Sequence, residues 1–171
     1  LIQLEIGVQT TNPVTIKEID RIMNLDKLRY VVEKINSFNN IHQHLDLIAG
    51  LPYEDYNSFV KSFNDVYAMR PEQLQLGFLK VLSGAKMERK SEEYGLVYTT
   101  LPPYEVLTTK WLDYDRVLEL KTIENMVEIY YNSRQFTNAL AWLENQFETP
   151  FKMFEGIGKY YELHKLNEVK H

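Results

Sequence analysis

At 171 residues, 44% hydrophobic and 25% charged, with 12 Tyr and 8 Phe, the chain is able to bury one good core or two small ones, and disorder is excluded. Its net charge of −5, from 19 basic and 24 acidic side chains without a long single-sign run, leaves no electrostatic footprint for nucleic acid, and no apolar stretch approaches the roughly 20 residues that cross a bilayer. Cysteine is absent, which excludes disulfides, thiol catalysis and cysteine-ligated zinc or iron-sulfur sites within these residues; with no signal-peptide pattern either, the expected location is cytoplasmic.

The first residue is Leu1, without Met and already in an apolar run, as though cut before or inside a strand, so the chain reads as a fragment of a larger protein. From Ile2 to Gln9 apolar residues alternate with Gln3, Glu5 and Gly7, the period of a strand with two unlike faces. Thr11 or Asn12 can cap a following helix, Pro13 suits its first turn, and Ile16, Ile19 and Met23 share a face up to about Asn24. Asp26 is the expected cap of a second helix, with Leu28, Val31, Val32, Ile35 and Phe38 as its buried stripe. His44 to Ala49 reads as a strand closing at Gly50, and Asp55 starts a helix whose Tyr56, Phe59, Val60, Phe63, Val66 and Tyr67 share one side. Past Pro71, Gln73 to Leu82 is a third strand, ended by Ser83 and Gly84.

Strand, helices, strand, helix, strand is the order of an α/β fold with a parallel sheet or barrel. Residues 86–95 suit a short polar helix, and the Pro-rich stretch Thr99 to Pro103 marks a boundary beyond which strand signals are lacking. Three helical stripes follow: Leu120, Ile123, Val127, Tyr130 and Tyr131; then Phe136 to Phe147; then Phe151 to Leu166, interrupted by Gly156 and Gly158. The expected division is therefore an α/β part over 1–88, a linker over 89–103, and a small all-α domain over 104–171 docked on the sheet.

Glu5, Gly7 and Gln9 share one face of the first strand, and His42, His44, Asp46 and Ile48 share one face of the second, while the opposite faces are more apolar. In a β/α barrel the apolar faces meet helices and the polar ones point inward, and active sites gather at the C-terminal strand ends, where Gln9, Asp46 and the Gly50 turn fall. Asp46 also has a purely structural explanation, as a carboxylate bonded to backbone or to a histidine. His42 and His44 have metal-ligand spacing, but nothing fixes a fourth ligand, and the Gly50 to Glu54 turn lacks the Lys of a P-loop.

Taken together, LEIGVQT at 4–10, IDRIM at 19–23, DLIAGLPYED at 46–55 and PEQLQLGFLKVLSGAKM at 71–87 resemble the radical S-adenosylmethionine (radical SAM) superfamily. They look like the last three strands of its six-stranded partial barrel. Within the superfamily the likeness is to oxygen-independent coproporphyrinogen oxidases and to cobalamin-binding members such as anaerobic magnesium-protoporphyrin monomethyl ester cyclases and related Fe-S oxidoreductases.

The resemblance implies that Gln9 and Asp46 hydrogen-bond the ribose hydroxyls of S-adenosylmethionine, and that Arg21 holds the carboxylate of its methionine part. Ile48 and the turn at Gly50 would pack near adenine, with backbone around Lys80 bonding the adenine edge. It further implies a 4Fe-4S cluster on a CxxxCxxC motif, and cobalamin in some relatives; with no cysteine here, those ligands belong to an upstream barrel half, and this chain alone should be inactive. The expected partners are thus the remainder of the parent chain and a small-molecule substrate, with no nucleic acid and no membrane. Two alternatives stand beside this: a conventional β/α-barrel enzyme using Glu5, Asp46 and His44 as acid and base, and a noncatalytic module whose helical tail binds a partner.

Overall fold

Apolar alternation makes three strands, and the helices between them force those strands to run parallel. The computed structural model describes residues 2–166, so Leu1 and residues 167–171, the end of the expected all-α part, lie outside the described residues. Strands β1 (Ile2–Gln9), β2 (Ile41–Ala49) and β3 (Gln73–Phe78) form a parallel sheet in the order β1-β2-β3. The register sets Gly7 beside Asp46, and Asp46 beside Gln75. The third strand stops at Phe78, short of the expected Leu82, because the chain turns to a new partner: Lys80 forms an antiparallel bridge with Glu105.

Helix α1 (Pro13–Glu18) is capped by Asn12, whose side chain accepts from the Val14 N–H. It ends well before Asn24, with Asp20 in the left-handed region at φ 56°. Helix α2 (Leu25–Asn36) is capped by Asn24 rather than Asp26, which sits in the first turn where its charge suits the helix dipole. Of its expected stripe only Val32 is fully buried; Val31 and Phe38 are exposed. Helix α3 (Tyr56–Tyr67) starts at an Asp55 cap and buries Phe59, Phe63, Val66 and Tyr67.

Residues 86–95 hold two short helices, α4 (Lys86–Arg89) and α5 (Ser91–Tyr94). Beyond them lies a strand pair that residue periodicity does not reveal, β4 (Val97–Tyr98) against β5 (Val106–Thr108), both too short to show alternation. Helix α6 (Tyr114–Met126) passes into a π-helical turn (Val127–Asn132), followed by α7 (Thr137–Leu143), a 3-10 turn (Glu144–Gln146) and α8 (Pro150–Leu163). Gly156 and Gly158 do not interrupt α8. A Cβ on Gly158 would come within 2.7 Å of the Thr122 methyl, so glycine there lets α6 and α8 approach closely.

The outward residues of the sheet, Leu45, Leu47, Leu74 and Leu76, share one core with α3 and the C-terminal helices. Phe63 is its hinge-point, edge-to-face with Phe151 at 5.3 Å and with Phe154 at 5.9 Å. A smaller cluster gathers Leu51, Leu79, Val81, Tyr94, Leu96 and Val106 near the strand ends. Among the described residues no helix is long and apolar enough to cross a membrane.

The outer edge of β3 is closed by a side chain. The Asn132 amide, placed by the π-helical turn, accepts from Leu74 N–H and donates to Leu74 C=O, both at 3.0 Å, as a neighbouring strand would. The near-isosteric Asn132→Leu variant leaves both backbone groups without these partners and should lose about 1–3 kcal/mol of stability. A denaturation midpoint unchanged from that of the unsubstituted chain would show that the amide does not carry the edge.

Candidate functional site

The strand period that buries Leu45 and Leu47 against helices turns Asp46 and Ile48 to the other face, where Ile48 packs against the smaller cluster at the strand ends. On that face Gln9, Asp46, Ile48, Gln75, Gly77 and Lys80 line a cavity of about 340 Å³. Gln9 is the last residue of β1, Ile48 is one residue from the end of β2, and Lys80 lies just beyond β3, so the cavity opens at the C-terminal end of the sheet.

Local devices hold the strand ends, although Gly50 itself does not line the cavity. The β1–β2 register slips between Gly7 and Gln9, and Gln9 sits at φ 71°, a conformation that costs a non-glycine residue about 1–2 kcal/mol. Gly50 turns the chain at φ 85°, and a Cβ there would lie 2.7 Å from a Val106 methyl, so only glycine fits. Arg21 lies outside the cavity, beside a neighbouring one lined by Asp20, Ile22 and Met23. The early end of α1 nonetheless swings it back to the sheet, where its guanidinium donates to the Gly7 carbonyl. Lys80 is exposed.

Asp46 Oδ1 lies 3.2 Å from His44 Nε2, close enough for attraction, yet the two are not aligned as a hydrogen bond and both atoms lack a hydrogen-bond partner. Loss of water pushes the Asp46 carboxyl above its ordinary pKa, Glu5 adds to this, and His44 and Arg21 oppose it. An acceptor short of a partner beside Gln9, which carries both donor and acceptor, suits a ligand diol. Among the described residues no three His, Cys, Asp or Glu side chains gather to hold a metal.

Four residues past Gly50 lies a buried group that falls inside the 46–55 motif but is not singled out there as a site residue. Glu54 is 1% exposed; its Oε1 accepts from the Thr10 and Ser62 hydroxyls, and burial raises its pKa to about 7. Ser62 is the signal that was available, a polar residue set inside the apolar stripe between Phe59, Phe63 and Val66.

Residues 92–171 match a family described as "Protein of unknown function (DUF4080)". An uncharacterized protein of Sinorhizobium fredii, y4hJ, is 29% identical over 94 residues, which is 54% of this chain and 36% of that protein. Oxygen-independent coproporphyrinogen III oxidase of Pseudomonas aeruginosa is 28% identical over 74 residues, 43% of this chain and 16% of that protein. The solved structure of coproporphyrinogen III oxidase from Escherichia coli, described as a radical SAM enzyme, superposes with a TM-score of 0.51 at 18% identity, covering 69% of this chain and 25% of that one. The chain therefore spans well under two thirds of each of these relatives. In sequence the chain is similar to an oxygen-independent coproporphyrinogen III oxidase, and in fold, an α/β arrangement of a three-stranded parallel sheet with helices, to a structure described as a radical SAM enzyme.

Glu54 has a consequence for stability. Its carboxyl has an ordinary value of 4.5 but stays protonated in the fold until about pH 7, so its contribution is complete below pH 4.5 and is lost as pH rises toward 7. The loss should reach roughly 3 kcal/mol, and Glu54→Gln should remove that part of the slope in unfolding free energy. An equal slope in the variant would assign the pH dependence elsewhere.

Proposed function

We propose that this chain forms part of the S-adenosylmethionine-binding wall of a radical SAM enzyme, working with an upstream barrel half that supplies the cluster. The observation that carries the reading is the meeting of Gln9, Asp46, Ile48 and Lys80 in one cavity at the C-terminal end of the open sheet face. Gln9 and Asp46 present donor and acceptor groups to the ribose hydroxyls, Ile48 and the Gly50 turn give an apolar, close-packed surface for adenine, and the chain around Lys80 meets the adenine edge. Arg21, tethered to Gly7, has only to exchange a carbonyl for the methionine carboxylate. S-adenosylmethionine, cleaved reductively at a 4Fe-4S cluster, supplies the radical chemistry in such enzymes. The residues here suit the cofactor wall and do not suit the cluster, since the chain has no cysteine; alone, it is inactive on this reading.

The open face and the bare outer edge of β1 are where three upstream strands of a six-stranded partial barrel would dock. The stretch expected to be a linker over 89–103 and an all-α domain over 104–171 instead holds the β4–β5 pair and shares the core of the sheet, so the helices from α6 onward act as a cover packed on the sheet that shapes the substrate pocket. Use of cobalamin, and a magnesium-protoporphyrin cyclase-like reaction in the cytoplasm, draw support from the motifs alone. Acid-base chemistry by Asp46, His44 and Glu5 is the second reading, favoured by the 3.2 Å approach of Asp46 to His44. It predicts turnover by this chain without any cofactor.

In the full-length protein, Asp46→Ala should weaken S-adenosylmethionine binding by about 1–3 kcal/mol through lost hydrogen bonds. The reading frame upstream of Leu1 should carry a CxxxCxxC motif, and anaerobic reconstitution should yield a reducible cluster. Wild-type affinity in Asp46→Ala would sink the ribose assignment, and absence of the motif would remove the radical reading.

A further inference from the structure

On the central strand β2, His44 and Asp46 stand two residues apart on the same face, and they differ in what they meet. Asp46 lines the cavity with Gln9, Ile48 and Lys80, whereas His44 does not reach it. The histidine is 8% exposed, and its Nε2, like Asp46 Oδ1, is buried without a hydrogen-bond partner. These two bare atoms lie 3.2 Å from one another. Bare buried polar atoms are costly, so two that lie in contact are natural partners. The Asp46 side chain is 31% exposed, and with Oδ1 enclosed it is Oδ2 that faces the cavity.

The neighbouring strands keep both side chains in place. His44 is in register with Glu5 on β1 and Gln73 on β3, which flank it on the same face, and Glu5 is engaged by the Gln3 amide at 3.3 Å. Asp46 is in register with Gly7 on one side and Gln75 on the other. Gly7 has no side chain, and the space above it is taken by two other groups: a Cβ there would stand 2.7 Å from Gln9 Nε2 and 3.5 Å from a guanidinium nitrogen of Arg21. The groups assigned to the ligand thus gather on the β1 side of Asp46, while His44 approaches from below along β2.

Nε2 carries a hydrogen in the imidazolium and in one neutral tautomer, and a carboxylate oxygen at 3.2 Å selects these over the tautomer that would turn a lone pair toward it. The contact therefore needs no particular charge on the ring. A contact at this distance needs only a small turn of either group to become a straight hydrogen bond. The terminal torsion of an aspartate is otherwise broad. We propose that His44 is a positioning residue for Asp46: its Nε2–H donates to the enclosed Oδ1, fixes the plane of the carboxyl and holds Oδ2 toward the ribose hydroxyls; this rests on the cofactor-wall reading above.

The test uses the full-length protein with its cluster reconstituted, and calorimetry with two ligands, S-adenosylhomocysteine and its 2′,3′-dideoxy analogue, which lacks the diol. His44→Phe keeps a flat ring and removes the donor. It should weaken S-adenosylhomocysteine about tenfold, leave the analogue unchanged, and have no further effect once Asp46→Ala is present. His44→Gln, whose amide can place a donor near the same point, should restore most of the affinity, and its failure to do so counts against the proposal. Equal losses for both ligands, or a loss undiminished in the Asp46→Ala background, would overturn it. A wild type that binds the two ligands alike removes the ribose reading and the positioning role with it; a preference for the diol that survives His44→Phe removes the positioning role alone. Should His44→Phe not fold, 15N spectra of the wild-type ring decide: Nε2 must carry a proton and its resonance must move in Asp46→Asn, and a bare or unmoved Nε2 overturns the pairing.

Discussion

Parallel strands place successive residues on opposite faces, and in β2 that period separates Leu45, Leu47 and Ala49 from Asp46 and Ile48. The apolar set meets α3 and, through Phe63, the rings of α8; on the other face Asp46 lines the cavity and Ile48 packs against the smaller cluster. Everything else in the molecule depends on this split. Slipping β2 by one residue would bury Asp46 among phenylalanines and expose the leucines, so the core that stabilises the fold is also what aims the site residues.

A parallel sheet with one bare face is unusual, because crossover helices normally cover both sides or the sheet closes into a barrel. The molecule treats its two edges differently. At β3 the outer edge is capped by Asn132 near Leu74 and by the Glu105 bridge near Lys80, so that side is finished. At β1 the sheet order ends with no strand on its outer side among the described residues. A sheet that is closed on one side and open on the other fits an arc continued by further strands better than it fits a free-standing layer.

How much of this was legible varies with the length of the pattern. The three parallel strands and α3 announced themselves, because six or more residues of clear period, with Asp55 as a cap for α3, leave little choice. Gln9, Asp46, Ile48 and Lys80 were legible as motif positions, and their grouping follows once the register is known. What escaped had short or context-dependent causes. The β4–β5 pair has too few residues to show a period, the glycines of α8 are read as breakers unless the Thr122 methyl beside them is seen, and the cap of α2 moved because Asn24 and Asp26 are both capable of the task. Arg21 falls within the stretch read as helix up to about Asn24, yet α1 has already ended at Glu18 and its guanidinium reaches the Gly7 carbonyl.

The two carboxylates of the stretch from Asp46 to Glu54 carry the last step of synthesis, because one loop gives them opposite environments. Asp46 remains partly open to solvent, with His44 and Arg21 as cationic or potentially cationic neighbours, so burial raises its pKa only against opposition. Glu54 has no such opponent; hydroxyls and a like charge surround it, and it stays neutral until about pH 7. One stretch thus holds a carboxyl beside basic neighbours at the cavity and another among hydroxyls in the interior. Gly50 lies between them at φ 85°, where a Cβ would also meet the Val106 methyl, so the turn that separates the two environments is fixed by packing as well as by backbone.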